Sequence, residues 1–132
     1  MKSDRLNLVY PPILDTAHNP QYVYVNQTLI IPIGFLAKPM PNIEDITWQI
    51  LALNDDFAHI LNPGDEESSF VLNQPMVTEN RMVSTLVINN ITSDLNITLT
   101  VRNEVDELRH DMFVLYQPPL PTIGDEIITT GK

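Results

Sequence analysis

The chain of 132 residues contains no cysteine, only four glycines and no long apolar run. Small secreted domains tend to be rich in disulfides, so the missing cysteines by themselves favour a reducing compartment. With so few glycines, little of the backbone is suited to approach a bound ligand closely. No apolar run nears the roughly 20 residues that cross a bilayer, and the first five residues lack the apolar core of a secretory signal. The sequence therefore predicts neither a membrane span nor a leader, and the compartment stays open.

Basic residues are also scarce, at 7 Lys and Arg against 17 Asp and Glu. The formal net charge of −10 repels a phosphate backbone and an anionic lipid surface from every side. We therefore expect no nucleic acid partner and no direct contact between these residues and a membrane.

No arrangement of side chains in the sequence is typical of an active site or a metal site. His18, His59 and His110 lie far apart, with no second imidazole or thiol at a spacing that binds zinc. There is no nucleophile elbow, no glycine-rich phosphate loop and no base beside a nucleophile. The acidic clusters lack the spacing of an EF-hand, and a solvated surface is favoured over a loose calcium site. We expect no catalytic residues, no metal and no other cofactor.

Alternation of apolar and polar residues predicts short strands and almost no helix. Leu29, Ile31, Ile33 and Phe35 share one face of the first clear strand, although Pro32 within it cannot donate a ladder hydrogen bond. Because of Pro32, we expect an edge position, a bulge or an outward-facing amide there. The same alternation predicts further strands at 46–50, 68–72, 81–88, 97–102 and 108–116.

The number and spacing of these strands predict the fold class. The segment 52–67 fits either a short helical turn or an irregular strand, and Asn62-Pro63-Gly64-Asp65 within it predicts a turn. A chain of this length, 43% apolar, is enough for one domain with one core. Seven or more short strands separated by turns indicate an all-β sandwich of two antiparallel sheets with Greek-key connections.

Three stretches of the sequence resemble motifs of the immunoglobulin superfamily. The run from Thr28 to Trp48, with Ala37-Lys38-Pro39-Met40-Pro41 before the tryptophan, is similar to strands B and C of I-set domains. Leu86-Val87-Ile88-Asn89-Asn90-Ile91 resembles the family's strand E, and Leu99-Thr100-Val101-Arg102-Asn103-Glu104 resembles the end of strand F. The resemblance leaves open whether the domain is closer to the I-set or the V-set. It implies an immunoglobulin-like domain of a tandem cell-surface receptor or adhesion protein.

The same resemblance identifies residues that stand in place of the family's usual stabilising groups. Ile33 and Leu99 occupy the positions of the two bridging cysteines, and Ile97 stands where a tyrosine usually makes its corner hydrogen bond. Losing a disulfide that closes so long a loop removes roughly 4 kcal/mol on a chain-entropy estimate. We expect Ile33 and Leu99, packed on Trp48, to supply much of that stability. Disulfide-free domains of this family occur in membrane-proximal parts of some receptor kinases, in giant muscle proteins and in some invertebrate recognition receptors.

The two ends of the chain carry similar segments. Each of the runs at 6–13 and 113–120 is strand-like and then continues into two prolines, as at a stiff junction of tandem domains. Residues 6–9 fit the domain's own first strand equally well. We therefore divide the chain into an N-terminal flank, or the end of a preceding strand or linker, at 1–10, an immunoglobulin-like domain at 11–117, and a Pro-rich linker with a tail at 118–132.

Three Asn-X-Thr sequons bear on the compartment. They begin at Asn26, Asn90 and Asn96 and are acceptors for N-glycosylation at extracellular surface positions. Their other interpretation is as ordinary polar residues of turns and strand edges. We expect the extracellular side of the plasma membrane, as part of a larger membrane protein. A cytosolic array is the alternative, and it explains the missing cysteines.

Two functions of different class fit these observations. The first is a recognition or adhesion module that binds a protein, either a related domain in a weak homodimer or a different ligand. Its predicted interface lies on strands C, F and G, where Gln49, Arg102, Arg109 and Tyr116 are expected to face outward. The second is a structural spacer in a tandem array, which has no specific ligand.

Overall fold

The structure, a computed structural model, describes residues 8–15, 21–24, 27–53, 55–67 and 69–117, with the backbone alone at 21–24. The predicted linker and tail at 118–132 lie outside these residues, as does most of the flank at 1–10. The described chain forms strands and one short 3₁₀ helix, Ile43–Asp45. The strands are β1 (Tyr10–Leu14), β2 (Gln21–Tyr24), β3 (Leu29–Lys38), β4 (Ile46–Ala52), β5 (His59–Leu61), β6 (Glu66–Glu67), β7 (Phe70–Leu72), β8 (Met76–Thr78), β9 (Arg81–Ile88), β10 (Leu95–Arg102) and β11 (Glu107–Tyr116).

The strands form two sheets that pack face to face, so the predicted all-β sandwich is confirmed. The first sheet has the order β1-β3-β9-β7-β6, with β8 also paired to β9. The second has the order β2-β11-β10-β4-β5. Within these sheets β2 runs parallel to β11, whereas the other described pairs are antiparallel. Strands β3, β4, β9, β10 and β11 follow the predicted alternation, with odd or even residues turned inward along each strand.

A hydrogen bond between two side chains joins the sheets at the centre of the core. Trp48 on β4 lies opposite Leu99 on β10, and Ile33 on β3 lies opposite Ser84 on β9. All four side chains are 0% exposed. The Trp48 indole Nε1–H donates to Ser84 Oγ at 2.9 Å, across the gap between the sheets. The apolar residues at the two predicted cysteine positions therefore lie beside a polar link that spans the sandwich.

Prolines occupy positions where a missing N–H is tolerated. Strand β1 pairs with residues 35–38 of β3 and does not reach Pro32, so at Pro32 β3 has one described neighbour, β9. Pro11 and Pro12 lie inside β1, at the start of the domain predicted at 11–117, where the sequence also fits a stiff junction between tandem domains. Strand β1 is at the edge of its sheet, and its register shifts between Tyr10 and Ile13. A sheet accepts proline at such edges and bulges because no ladder bond is lost.

The segment that the sequence left ambiguous forms two short strands joined by the predicted turn. His59–Leu61 pairs with β4, and Glu66–Glu67 pairs with β7 in the other sheet. Between them the Asp65 amide donates to the Asn62 carbonyl at 2.9 Å, and Gly64 has a φ of 93°. A side chain at Gly64 would be strained by that backbone angle, which glycine adopts freely. The chain thus crosses from one sheet to the other at this turn.

Asn103 ties together three segments at one end of the sandwich. Its Nδ2 donates to the carbonyls of Tyr10 and Pro39 at 2.8 and 2.9 Å. Its Oδ1 accepts from the amides of Val105 and Asp106 at 2.9 and 3.2 Å. Asn103 and Ser84 are the buried polar side chains of the described residues, and both are hydrogen-bonded. The start of β1, the loop after β3 and the β10–β11 hairpin are thereby held in one place.

We predict that Ser84→Ala lowers the free energy of unfolding by about 1–3 kcal/mol, because the buried Trp48 N–H loses its acceptor. Trp48→Phe should cost more, since it also leaves a cavity. The double variant should cost less than the sum of the two, because neither polar group is then left alone. Urea unfolding of the four proteins measures this coupling. Thr78→Ala, at an exposed strand position, is the control, and strict additivity of the two core changes would contradict the link.

A second prediction concerns the Asn103 bonds. Asn103→Ala leaves the Tyr10 and Pro39 carbonyls and two hairpin amides without their partner, which should cost about 1–3 kcal/mol of stability. Hydrogen exchange of the Val105 and Asp106 amides should accelerate most. Asn73→Ala, at an exposed position, is the matched control. Unchanged exchange at the hairpin would show that Asn103 does not order it.

Candidate protein-binding face

The outer side of the second sheet presents its side chains in rows across the strands. We call the outward side of β5, β4, β10 and β11 the five-strand face, since the backbone of β2 continues it. One row runs through Ile60, Gln49, Thr98 and Asp111, which are opposite one another in register. The neighbouring rows contain Leu51, Asn96 and Phe113, then Thr47, Thr100 and Arg109, and then Arg102 and Glu107. The outward side chains of these rows therefore form one continuous surface across the four strands.

Several apolar side chains on this face are exposed to solvent. Ile60 is 61% exposed, Phe113 is 48% exposed and Leu115 is 37% exposed. Leu51 is half-buried in the same row as Phe113, with Asn96 between them, and Ile60 and Leu115 belong to the rows on either side. These four residues lie across adjacent rows of the face, and we call them the apolar row. Exposed aromatic and aliphatic side chains on one face of a sheet are a feature of surfaces that bind proteins.

The face is electrically balanced, in contrast to the chain as a whole. The described ranges contain four basic residues, Lys38, Arg81, Arg102 and Arg109, and two of them lie on this face. The described side chains opposing them on the face are Glu107 and Asp111, so the local charge is zero while the whole chain carries −10. Arg109 lies 3.7 Å from Asp111, and Arg102 lies 3.9 Å from Asp45 at the margin. These exposed pairs contribute little stability and leave both arginines accessible.

The structure brings three of the four predicted interface residues onto this face. Gln49, Arg102 and Arg109 are exposed there. Tyr116 was predicted to face outward, and this is wrong: it is half-buried and packs against the core. The reason is the alternation of β11, in which Met112 and Val114 point inward and Tyr116 follows them at the same spacing.

Sequence reasoning missed the apolar row. Phe113 and Leu115 alternate with two buried residues, Met112 and Val114, so both sides of this part of β11 are apolar. A run that is apolar on both sides is typical of a strand covered on both faces, and here the outer side has no covering element among the described residues. The apolar residues on both sides of β11 could therefore have indicated an exposed apolar surface from the sequence. Ile60 gave no such indication, because the surrounding segment could not be assigned as a strand.

The sequons lie in different environments. Asn26 lies outside the described residues. Asn90 is exposed in the turn after β9, where it adopts a positive φ of 47°. Asn96 is exposed near the start of β10, opposite Leu51 on one side and Phe113 on the other. Asn96 is thus on the five-strand face, and Asn90 is not.

The described residues contain no group of three or more His, Asp or Glu side chains placed to hold a metal ion. His59 Nδ1 is 2.9 Å from Glu67 Oε1, and its Nε2 is 3.6 Å from Asp55 Oδ2. Its ring also packs at 5.3 Å from Phe70. This group links β5 to β6 and so serves the contact between the sheets. His18 lies outside the described residues.

An open depression lies beside the loop that follows β3. It is lined mainly by apolar side chains, including Met40, Ile43, Val77 and Met82. It contains no nucleophile with a neighbouring base. In the part of the chain that the structure describes, no helix is long and apolar enough to span a membrane.

Comparison with known proteins gives a match in structure and none in sequence. No family model matches the chain, and no curated protein matches it. Among solved structures, the chain is similar to Dpr2 Ig1-Ig2, crystallised in complex with DIP-Theta Ig1-Ig3, with a TM-score of 0.58 and 11% identity over 83% of this chain and 33% of that one. It is also similar to a titin tandem of Ig domains, with a TM-score of 0.54 and 16% identity over 83% of this chain and 50% of that one.

The chain thus spans about a third of the Dpr2 chain and half of the titin tandem. Both contain tandem immunoglobulin domains, and at such low identity the likeness shows the fold alone. The strand order described above agrees with it, since β1-β3-β9-β7 corresponds to the A-B-E-D sheet and β11-β10-β4 to the G-F-C sheet. The chain has the fold of an immunoglobulin-like domain without a disulfide.

Proposed function

We propose that the chain is a protein-recognition module of a cell-surface receptor or adhesion protein, and that it binds a second copy of itself through the five-strand face. The observation that carries this proposal is an apolar row on an electrically balanced surface of a strongly acidic chain. Two copies that each carry −10 repel one another wherever their acidic surfaces meet. They approach with the least repulsion where the local charge is zero.

The charges of this face also suit a symmetric contact. In a two-fold dimer the same surface of both copies meets, so each arginine can face a carboxylate of the partner. Arg102 and Arg109 supply the positive groups, and Glu107 and Asp111 supply the negative ones. Complementary charges fix the register of such a contact, while burial of Phe113 and Ile60 supplies affinity. The complex of Dpr2 with DIP-Theta supports a protein as the partner class.

A second function is supported by the positions where the described chain enters and leaves the sandwich. The Tyr10 carbonyl is bonded to Asn103 beside the β10–β11 hairpin. The Tyr116 amide is bonded to Asp94 before β10 begins, at 2.7 Å. An eight-residue strand lies between these two points, which places them about 25 Å apart at opposite ends. This end-to-end path suits a spacer in a tandem array, as does the likeness to titin.

We predict that the chain forms a dimer at micromolar to millimolar concentration and that Phe113→Glu weakens the dimer at least about tenfold, because it places a charge in the apolar row. Met76→Glu, on β8 of the other sheet, adds the same charge at a residue 75% exposed and should leave the dimer unchanged. Sedimentation velocity over a concentration series measures both variants. A strict monomer at all concentrations would contradict self-recognition and favour the spacer or a different ligand.

The salt dependence of the dimer gives another prediction. Repulsion between two chains of −10 is screened as the Debye length falls from about 30 Å at 0.01 M salt to about 8 Å at 0.15 M. The dimer should therefore become tighter as salt rises over this range. Sedimentation equilibrium at the two salt concentrations measures the change. A dimer that weakens with salt would show that ion pairs, and not the apolar row, supply most of its affinity.

A further inference from the structure

We infer that Asn96 is a site of N-glycosylation and that its glycan lies over the apolar row, so that the modified chain has a closed five-strand face. The inference deepens the proposed function and rests on it where it concerns binding: the unmodified chain is the form that dimerises, and the glycan is the modification that prevents it. The placement of the glycan stands on the geometry of β10 alone.

The sequon at Asn96 is carried by a strand, and this determines the side on which it is presented. Ile97 between the two sequon residues is 1% exposed and points into the core. Asn96 and Thr98 therefore both point outward, onto the five-strand face. The Asn96 side chain is exposed, so a glycan attached to it is accommodated without any change in the core.

The Asn96 amide has no structural task among the described residues. No hydrogen bond joins it to another described group, whereas the Asn62 and Asn103 amides each bond to backbone carbonyls. The neighbouring Thr98 hydroxyl donates to Asp111 Oδ1 at 2.9 Å. The interpretation of Asn96 as an ordinary structural polar residue therefore lacks a supporting contact.

The neighbours of Asn96 determine what its glycan covers. Leu51 and Phe113 lie directly opposite it on the two adjacent strands, where side chains are about 4.5–5.5 Å apart at Cβ. The first sugar of an N-linked glycan has an apolar face of C–H groups, and such a face packs against an aromatic ring such as that of Phe113. The glycan thus lies on the residues that the proposed dimer buries, and one position cannot hold both.

Asn90 provides an internal comparison. It lies in the turn after β9, where its backbone carbonyl accepts a long bond from Ser69 Oγ at 3.5 Å. A glycan there projects from the loop and does not cross the rows of the five-strand face. Modification of Asn90 is therefore compatible with an open face, whereas modification of Asn96 is not.

The test uses the full chain secreted from eukaryotic cells, as wild type, Asn96→Gln and Asn90→Gln. Peptide mass spectrometry measures occupancy at Asn96, and hydroxyl-radical footprinting measures the oxidation of Phe113, with Met76 on the other sheet as reference. We expect Asn96 to be occupied. At a protein concentration low enough for all three forms to be monomeric, Phe113 oxidation should be several-fold lower in wild type and Asn90→Gln than in Asn96→Gln. Enzymatic removal of glycans from the wild type should restore the oxidation of Phe113, which controls for any effect of the substitution on folding.

An unoccupied Asn96 would overturn the inference, as would equal oxidation of Phe113 in monomers with and without the glycan. Sedimentation of the same samples measures whether each form dimerises, and so tests self-recognition separately from the position of the glycan. Dimers of Asn96→Gln beside monomers of the glycosylated wild type support both. Monomers of both forms, with Phe113 protected by the glycan, support the placement of the glycan and contradict self-recognition.

Discussion

The hydrogen bond from Trp48 to Ser84 is the contact on which the arrangement of the two sheets depends. A sandwich of this kind is usually fixed by a covalent bond between the sheets, and here the two positions carry Ile33 and Leu99. Apolar packing stabilises the sandwich strongly, but it does not fix the relative position of the two sheets, because its free energy depends on buried area and not on the angle between groups. A buried N–H, by contrast, must find its acceptor at one distance and angle. Burial of Ile33 and Leu99 therefore supplies free energy, and the Trp48–Ser84 pair supplies the register in which β4 faces β9.

The distribution of charge divides the surface of the molecule into unequal parts. Acidic side chains are concentrated in the loops and short strands at 44–45, 55–56, 65–67 and 104–107. The five-strand face keeps two arginines among few carboxylates, and the β10–β11 hairpin with its acidic loop stands at one end of it. An approaching molecule of like charge is therefore repelled at the ends and along the β5 edge. The balanced rows between them have no net charge that would repel it.

The sequence predicted the fold class because alternation in β3, β4, β9 and β10 reflects one buried face per strand. It left open whether Pro11 and Pro12 belong to a junction or to the domain, since proline is unfavourable inside a sheet, and only the sheet order shows that β1 lies at an edge. Tyr116 was predicted to face outward together with Arg109, although an odd and an even position of one regular strand face opposite sides, and in β11 it is the odd positions that face outward. The hydrogen bond of Trp48 was not predictable, since its acceptor on β9 is 36 residues away and depends on how the sheets pack.

The two prolines of β1 also limit how copies of this chain can associate. An edge strand normally offers a row of free N–H and C=O groups, to which another strand can add, and continued addition leads to fibrils. Successive amides of a strand point to opposite sides, so one of Pro11 and Pro12 removes a donor from the open edge, and the bulge at the same place disturbs its spacing. Growth of the first sheet by strand addition is thereby disfavoured at its β1 side. A chain with no disulfide to limit partial unfolding is protected at this edge by its backbone chemistry.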